Sequence, residues 1–385
     1  MSSTTHIDHS QARGDDELRV STLELFFDLV FVFTLTQLTA LLAADPSAAT
    51  AGRAVLIFIV LFWMYGGYVW LTNRVSPDRP ARRLLMILGM GAFLVCALAI
   101  PEAFDGGGVA FGVGYLLVVL MHAWLYGQEF GAAVVLRFAP LNVVSALSVT
   151  IAGFVDEPAV YILWGAAILI QFVTPSIAAR VAPRFDIRSG HFVERHGLLL
   201  IVAFGESVVA IGIGIADMEL DPDLFAIALL GLALAAALWW AYFVGDEEEA
   251  RRAMDAAATD QRFRLAINGY FYAYIPMLLG VITMAAGVKE SIGLATEHLE
   301  IGPALTLALG VAMYLAGDVA FRRVMRIRPV GYRAGGAVAA LGTVVLGVSA
   351  AAAVQLLSLV VIVVGMLALE SRFSQATASP AGRTA

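Results

Sequence analysis

Long apolar runs dominate this chain and restrict it to a membrane-spanning helical fold. The first run, Ser21–Ala43, reads STLELFFDLVFVFTLTQLTALLA. Roughly 20 such residues are enough to cross the hydrocarbon core of a bilayer as a helix. Of the whole chain, 60% is hydrophobic and 14% is charged, whereas soluble domains contain about 25% charged residues. The sequence therefore predicts an all-α, polytopic membrane protein.

Twelve apolar segments have the length of a membrane span. No polar loop separates the last two, and we place their hairpin near residues 349–352 because two helices fit the available length. The predicted spans cover residues 23–43, 55–71, 84–100, 109–126, 132–154, 160–179, 194–215, 224–244, 264–287, 304–321, 334–350 and 353–369.

The distribution of positive charge predicts how these spans are oriented. With the N-terminus in the cytoplasm, all of the 24 Lys and Arg residues except Arg53 and Lys289 fall on the cytoplasmic side. Cytoplasmic loops of membrane proteins collect Lys and Arg in this way. We therefore expect both termini in the cytoplasm, with residues 1–20 and 372–385 forming flexible tails.

A second stretch, His191–Ile213, reads HFVERHGLLLIVAFGESVVAIGI and resembles the first run. At an offset of 170 residues, Glu24 aligns with Glu194 and Thr36 aligns with Glu206. Six spans separate the two stretches, so both cross the membrane in the same direction and the halves form parallel repeats. We predict that spans one and seven pack centrally about a pseudo-two-fold axis along the membrane normal. The predicted six-helix repeats are residues 21–190 and 191–371.

Two further pairs of segments align in the same order along the halves. Residues 62–65 (FWMY) match residues 239–242 (WWAY), and residues 124–128 (WLYGQ) match residues 314–318 (YLAGD). The shared order favours a duplication of the whole six-helix unit.

Two sequence stretches resemble a known family. They are LELFFDLVFV at residues 23–32 and ERHGLLLIVAFGESV at residues 194–208. Both are similar to the most recognisable stretches of the low temperature requirement A (LtrA) family of bacterial membrane proteins, and the likeness covers roughly residues 18–370. The resemblance implies the same helical architecture in a bacterial plasma membrane. It implies no substrate, since the family is named after a cold-growth phenotype.

Glu206 is the strongest candidate for a functional residue. It lies twelve residues beyond Glu194, which is about 18 Å along a helix and somewhat past the middle of the membrane. Ionisable groups at that depth are usually functional, and a carboxyl there can bind a proton or a cation. The neighbouring Ser207 offers a hydroxyl. The alternative is that Glu206 only forms a hydrogen bond between helices.

A second group of charges lies where spans one and seven begin. Glu24 and Asp28 are one helical turn apart on the same face, and Glu194 and Arg195 open span seven. One interpretation is structural, with Arg195 pairing with Glu24 or Asp28 to join the halves. The other is that the two acids form a cytoplasmic gate or an entry for cations.

Several polar residues inside other spans are weaker candidates. His122 is either a buried neutral histidine or part of a proton relay, and Asn268 is a polar group at membrane depth. Asp318 and Arg322 are four residues apart, which predicts an ordinary ion pair within one helix. Three prolines interrupt spans, and such breaks occur where helices line cavities or where they are simply kinked; they are Pro140, Pro175 and Pro276.

The sequence offers no motif for catalysis or for a cofactor. It contains one cysteine, no phosphate-binding GxxxxGK[ST] loop, and neither HExxH nor GxSxG. We therefore expect no enzyme activity, no metal and no cofactor. The basic residues lie in short loops, where they serve to orient the spans in the membrane. The expected partners are therefore membrane lipids and a small solute or proton, with no nucleic acid.

Two hypotheses for function remain open. The first is a secondary transporter or permease with a site between the halves and a deep carboxylate that couples transport to a proton or cation. Its site would draw on Glu206, Ser207, Glu24, Asp28, Glu194, Arg195, His122 and Asn268. The second is a stress sensor or lipid-handling protein that transports nothing and in which the intramembrane acids are structural. A polar cavity that connects Glu206 with one side of the membrane would favour the first.

Overall fold

A computed structural model describes residues 20–75, 79–181, 187–216 and 218–378. These ranges are almost entirely helical and contain no strand, which confirms the predicted fold class. Residues 1–19 and 379–385 of the two predicted tails lie outside the described residues. Residues 372–378, predicted as part of a flexible tail, instead continue the last helix to Ala378. The helices are α1 (Thr22–Ala44), α2 (Ala48–Arg74), α3 (Pro80–Ala99), α4 (Gly108–Phe130), α5 (Ala132–Ala152), α6 (Ala159–Val181), α7 (Ser189–Ile215), α8 (Pro222–Phe243), α9 (Asp246–Asp255), α10 (Thr259–Ile267), α11 (Tyr274–Glu290), α12 (Ile301–Met325), α13 (Gly331–Gly342), α14 (Val344–Ser349) and α15 (Ala352–Ala378).

Eleven helical stretches among the described residues are long and apolar enough to cross a membrane. They correspond to eleven of the twelve predicted spans, including both members of the final hairpin. The twelfth predicted span corresponds to α5, in which Ala139–Ala152 is a shorter apolar helical segment. A π-helical segment, Asn268–Ala273, joins α10 to α11 within a single span, and α13 with α14 forms another.

A capping box is present at the start of α1. The Ser21 backbone N–H donates to Glu24 Oε2 at 2.9 Å, and the Glu24 backbone N–H donates to Ser21 Oγ at 3.4 Å. This arrangement satisfies two backbone donors that a helix N-terminus otherwise leaves free. Glu24 therefore has a local structural role in addition to any other.

The loop between α1 and α2 is closed by hydrogen bonds to Asp45. The Thr50 hydroxyl donates to this carboxylate, and the Ser47 hydroxyl donates to Asp45 Oδ2 at 2.9 Å. These two bonds lower the pKa of the Asp45 carboxyl. The loop thus turns the chain back into the membrane with its polar groups satisfied.

Helices α1 and α7 lie side by side and run in the same direction. Near their first turns, Asp28 contacts Arg195, and further along Thr36 contacts Glu206. Contacts in the same order along both helices require parallel helices. Each helix also keeps an exposed apolar side, which includes Phe26 and Leu29 of α1. The two helices therefore meet as predicted, but they are not enclosed.

The most enclosed span is the one that contains α10, the π-helix and α11. Helix α11 packs against α1, α7 and α12. Its contact with α12 depends on glycine, because a Cβ at Gly280 would come within 2.5 Å of the Tyr314 backbone nitrogen. Small residues allow helix backbones in membranes to approach this closely. The most central helix is thus α11, whereas the sequence predicted that α1 and α7 would be central.

The same pairs of spans are in contact in both halves of the chain. In the first half, α1 packs on α3, α3 on α4, α4 on α5, and α2 on α6. In the second half, α7 packs on α11, α11 on α12, α12 on α13, and α8 on α15. These are the contacts that a six-helix repeat would produce, although the duplication itself stays a prediction.

Candidate functional site

A cavity of about 160 Å³ lies between the two halves. Residues of α2, α4, α5 and α6 form its wall on the side of the first half, and residues of α7, α10 and the π-helix form the other wall. It is close to one end of the helices. Phe192 is three residues after the start of α7 and Tyr126 is four residues before the end of α4, which corresponds to about 5–6 Å along a helix.

Aromatic rings form most of the cavity wall. The ring of Phe271 stacks on Phe62 at a centroid distance of 5.5 Å and an interplanar angle of 3°. The same ring meets Trp63 edge-on at 5.1 Å and 75°. Trp70 and Tyr270 are further members of the wall. Ring pairs of this kind stabilise one another, so the wall is a packed aromatic surface.

The π-helix forms part of this wall. Such segments are rare in proteins overall, but those that occur are often found at functional sites. Here the wider turn presents Tyr270 and Phe271 to the cavity, whereas Asn268 in the same segment is exposed. The prediction that Asn268 belongs to the site is thus not supported by its position. Apolar spacing gives no sign of a π-helix, which is why sequence reasoning missed it.

Asn142 provides a polar group on the cavity wall of the first half. Its Oδ1 accepts a hydrogen bond from Trp63 Nε1 at 3.0 Å, which joins α5 to α2. With the carboxamide oxygen held by Trp63, the Nδ2 group is left as a donor, since no acceptor for it occurs among the described residues. In the sequence, Asn142 is a polar residue within a predicted span, and nothing there distinguishes it as a site residue.

His196 provides a polar group on the opposite wall. Its Nδ1 lies 2.8 Å from the Phe192 carbonyl oxygen, so Nδ1 carries the proton and donates. In a neutral imidazole the other nitrogen is then an acceptor. Nε2 of His196 has no donor among the described residues. In the sequence, His196 directly follows Glu194 and Arg195 at the start of span seven, and nothing there distinguishes it as a cavity residue.

His122 also lines the cavity, as the sequence prediction of a site residue requires. Its ring packs between Tyr68 and Tyr126, with centroid distances of 5.3 and 5.8 Å. Nε2 is buried against Gly67 and has no well-formed hydrogen bond in the described part of the chain. This environment fits the buried neutral histidine of the two interpretations.

Arg195 joins the two halves through both acids of α1. It donates to Asp28 Oδ1 from Nη2 at 2.8 Å, and its Nη1 lies 3.1 Å from Glu24 Oε1. Tyr65 of α2 adds a hydrogen bond to Asp28 at 2.8 Å, and His191 Nε2 lies 3.2 Å from Glu24. All of these side chains are buried. The ion pair expected from the sequence is present, and the acids are occupied by it.

Glu194 lies apart from this network. It is half-buried, and its charge acts on Glu247 of α9 and not on Arg195. Glu194 and Arg195 are adjacent on one helix, so their side chains point to different sides of it. The structure therefore brings Glu24, Asp28 and Arg195 together and leaves Glu194 outside.

Glu206 is deeply buried, with 4% of its surface exposed. Its Oε2 accepts a hydrogen bond from the Thr36 hydroxyl at 2.6 Å, and Lys289 of α11 is the cation that acts on it. The hydroxyl of Ser207 is buried and has no partner among the described residues. Glu206 does not line the cavity, because it is ten residues beyond His196 on α7, or about 15 Å.

A second buried ion network, which the sequence did not predict, lies within the second half. Arg333 of α13 donates to Asp318 at 2.7 Å and to Glu370 at 2.8 Å. Arg322 pairs with Asp246 at 2.8 Å and also contacts Glu370. The expected pair between Asp318 and Arg322 is therefore wrong. The spacing of four residues considered one helix only, whereas Arg333 reaches Asp318 from a neighbouring helix.

No group of three His, Cys, Asp or Glu side chains in the described ranges is arranged to hold a metal ion. The buried acids are paired with arginines or with a hydroxyl group. The site residues described above are thus suited to hydrogen bonding, ion pairing and aromatic packing.

Comparison with known proteins places the chain in a family. The model for "Bacterial low temperature requirement A protein (LtrA)" matches residues 19–368, which is nearly the whole membrane part. The chain belongs to the LtrA family. Within curated proteins, this LtrA-family chain is similar to Uncharacterized protein RA0937 of Rhizobium meliloti (strain 1021). The two are 30% identical over 336 residues, covering 83% of this chain and 81% of the relative.

Proposed function

We propose that this LtrA-family protein is a carrier that moves a small solute across the bacterial plasma membrane, with the solute bound in the cavity between the halves. The observation that carries the proposal is the position of that cavity. Its two walls come from different halves, so a movement of one half against the other would open or close it. Transporter sites are typically formed at such an interface.

The contact between Thr36 and Glu206 supports this arrangement. These two residues are 170 positions apart, which is the offset that aligns the two halves in sequence. Residues related by a two-fold axis can touch only close to that axis. The contact is therefore what a pseudo-two-fold axis between α1 and α7 would produce, and rocking of the halves about it is the motion we infer.

Glu206 is the coupling group in this proposal. It is buried, and its direct hydrogen-bond partner is the Thr36 hydroxyl and not a cation. Uptake of a proton, or of a cation in its place, changes the charge at the contact between the halves. The free-energy difference between the two conformations of the carrier then depends on the charge of Glu206 at this contact. The cavity lies near the end of the helices where α7 begins, which is the predicted cytoplasmic side.

A second candidate is a sensor or lipid-handling protein that transports nothing. The Thr36 hydrogen bond favours it, because a hydroxyl partner is sufficient to make Glu206 a structural link between α1 and α7. The separation of Glu206 from the cavity favours it as well. In this alternative, no solute crosses the membrane and the acids only hold helices together.

Blocking the cavity tests the proposal. Gly66 lines the cavity, and a Cβ there would meet no atom within 4 Å, so Gly66→Leu fills the space without displacing backbone. Gly91 of α3 is equally open but exposed, so Gly91→Leu is the matched control. The measurement is uptake into proteoliposomes of a panel of aromatic, amino-acid and organic-cation solutes, with a pH-sensitive dye inside.

We expect wild-type uptake of at least one solute, loss of at least tenfold in Gly66→Leu, and no change in Gly91→Leu. Equal uptake by the two variants would contradict a role for the cavity. Absence of uptake throughout the panel would favour the second candidate.

A further inference from the structure

The cavity wall contains no charged side chain. None of the residues that line it is Asp, Glu, Lys or Arg. A charged ligand would lose its hydration without gaining an ion partner, which is costly in a buried site. The wall is therefore matched to an uncharged molecule.

The size of the cavity limits the ligand to one or two rings. It measures about 160 Å³, and an apolar cavity of about 150 Å³ in a protein interior is known to take up a benzene molecule. The rings of Phe62 and Phe271 are parallel to within 3°, and Trp63 stands at 75° to Phe271. A planar ring that enters the cavity meets a wall made largely of aromatic side chains, and aromatic rings prefer stacked or edge-on contacts with one another.

Two hydrogen-bonding groups of the cavity wall come from different halves. Asn142 of the first half has its Nδ2 donor left over, because Trp63 occupies its oxygen. His196 of the second half has its Nε2 acceptor left over, because Nδ1 is bound to the Phe192 carbonyl. Both residues line the cavity. A ligand with one acceptor and one donor would connect the halves through these two groups.

We propose that the cavity binds one small, uncharged, planar aromatic molecule that offers a hydrogen-bond acceptor to Asn142 and a donor to His196. This inference rests on the proposed function in so far as it names the solute that is carried. Binding itself can be measured without transport.

The test is titration calorimetry of the purified, full-length protein at pH 8. Benzimidazole is the probe, because it is planar, mainly uncharged at that pH, and has one donor and one acceptor. 1-Methylbenzimidazole lacks the donor, benzoate is an anion and trimethylphenylammonium is a cation. We expect benzimidazole to bind, its methyl derivative to bind about 3- to 10-fold more weakly, and the two ions to bind undetectably.

Variants identify the two polar contacts. Asn142→Leu and His196→Phe should each weaken benzimidazole binding about 3- to 10-fold, the value of one hydrogen bond. Asn268→Leu is the matched control, because Asn268 is exposed and outside the cavity, and it should bind as the wild type does. Far-ultraviolet circular dichroism and gel filtration establish that each variant is folded.

The outcomes separate this inference from the proposed function. Binding that the two variants weaken, in the absence of any uptake, supports the ligand class and contradicts a carrier. Uptake of another solute that Gly66→Leu abolishes, with no benzimidazole binding, contradicts the ligand class and supports a carrier. Tighter binding of trimethylphenylammonium than of benzimidazole overturns the inference in favour of an organic-cation site.

Discussion

At the scale of single residues, the buried acids of this protein differ in what partners them. Glu24 and Asp28 share a guanidinium group, whereas Glu206 is held by a hydroxyl. An arginine partner favours the charged form of a carboxylate. A hydroxyl group can donate to a carboxyl in either protonation state. We therefore propose Glu206 as the acid whose protonation changes.

Glu206→Gln should separate coupling from structure. The Gln carbonyl oxygen can accept the same bond from Thr36, and an amide costs less to bury than a carboxylate. We therefore expect nearly unchanged expression and thermal stability but loss of pH-dependent uptake in proteoliposomes. Ser207→Ala, which removes a hydroxyl without a partner among the described residues, is the control. Full pH-dependent uptake by folded Glu206→Gln would leave Glu206 as a structural link only.

At the scale of helices, the sequence predicts the positions of the spans well and the contacts between distant helices poorly. Span positions, the cap at Ser21 and the meeting of α1 with α7 all follow from local hydrophobicity, spacing and charge. The cavity and the network around Arg333 do not, because each is assembled from helices that are distant in sequence. A π-helix cannot be recognised from spacing either. Most of the candidate site is therefore formed by contacts between helices that are far apart in the sequence.

The junction between α1 and α7 depends on Arg195. Arg195→Met would leave two buried carboxylates without their cation, which typically costs about 3–5 kcal/mol. We expect a clear fall in melting temperature, measured by a fluorescent thermal-shift assay on detergent-solubilised protein. Arg53→Met is the matched control, because its pair with Glu157 at 3.3 Å is largely exposed and such pairs contribute about 0–1 kcal/mol. Equal melting temperatures for the two variants would show that the junction contributes little.

At the scale of the whole molecule, an even number of crossings places both ends of the chain on one side. Eleven spans together with α5 give that even number within the described residues. Arginines concentrate at the ends where α2, α6, α8 and α12 finish. These two observations lead to the same expected orientation, with the cavity near the cytoplasmic face.

Reporter fusions provide the measurement for this orientation. Alkaline phosphatase fused after residue 378 should be inactive and a fluorescent protein at the same position should be bright, since both report a cytoplasmic end. A phosphatase fusion in the loop after Ala44 should be active and serves as the control. An active phosphatase at the C-terminal position would mean that α5 or one helix of the final hairpin does not cross the membrane.

The ion pairs between α1 and α7 also set a condition on biosynthesis. Asp28 enters the membrane region 167 residues before Arg195 is made. At typical synthesis rates of about 5–20 residues per second, the interval is roughly 10–30 s. Throughout that time the ribosome-bound chain holds two acids of its first helix with no arginine to receive them. The contacts of Glu24 and Asp28 are therefore complete only once the seventh span has been made.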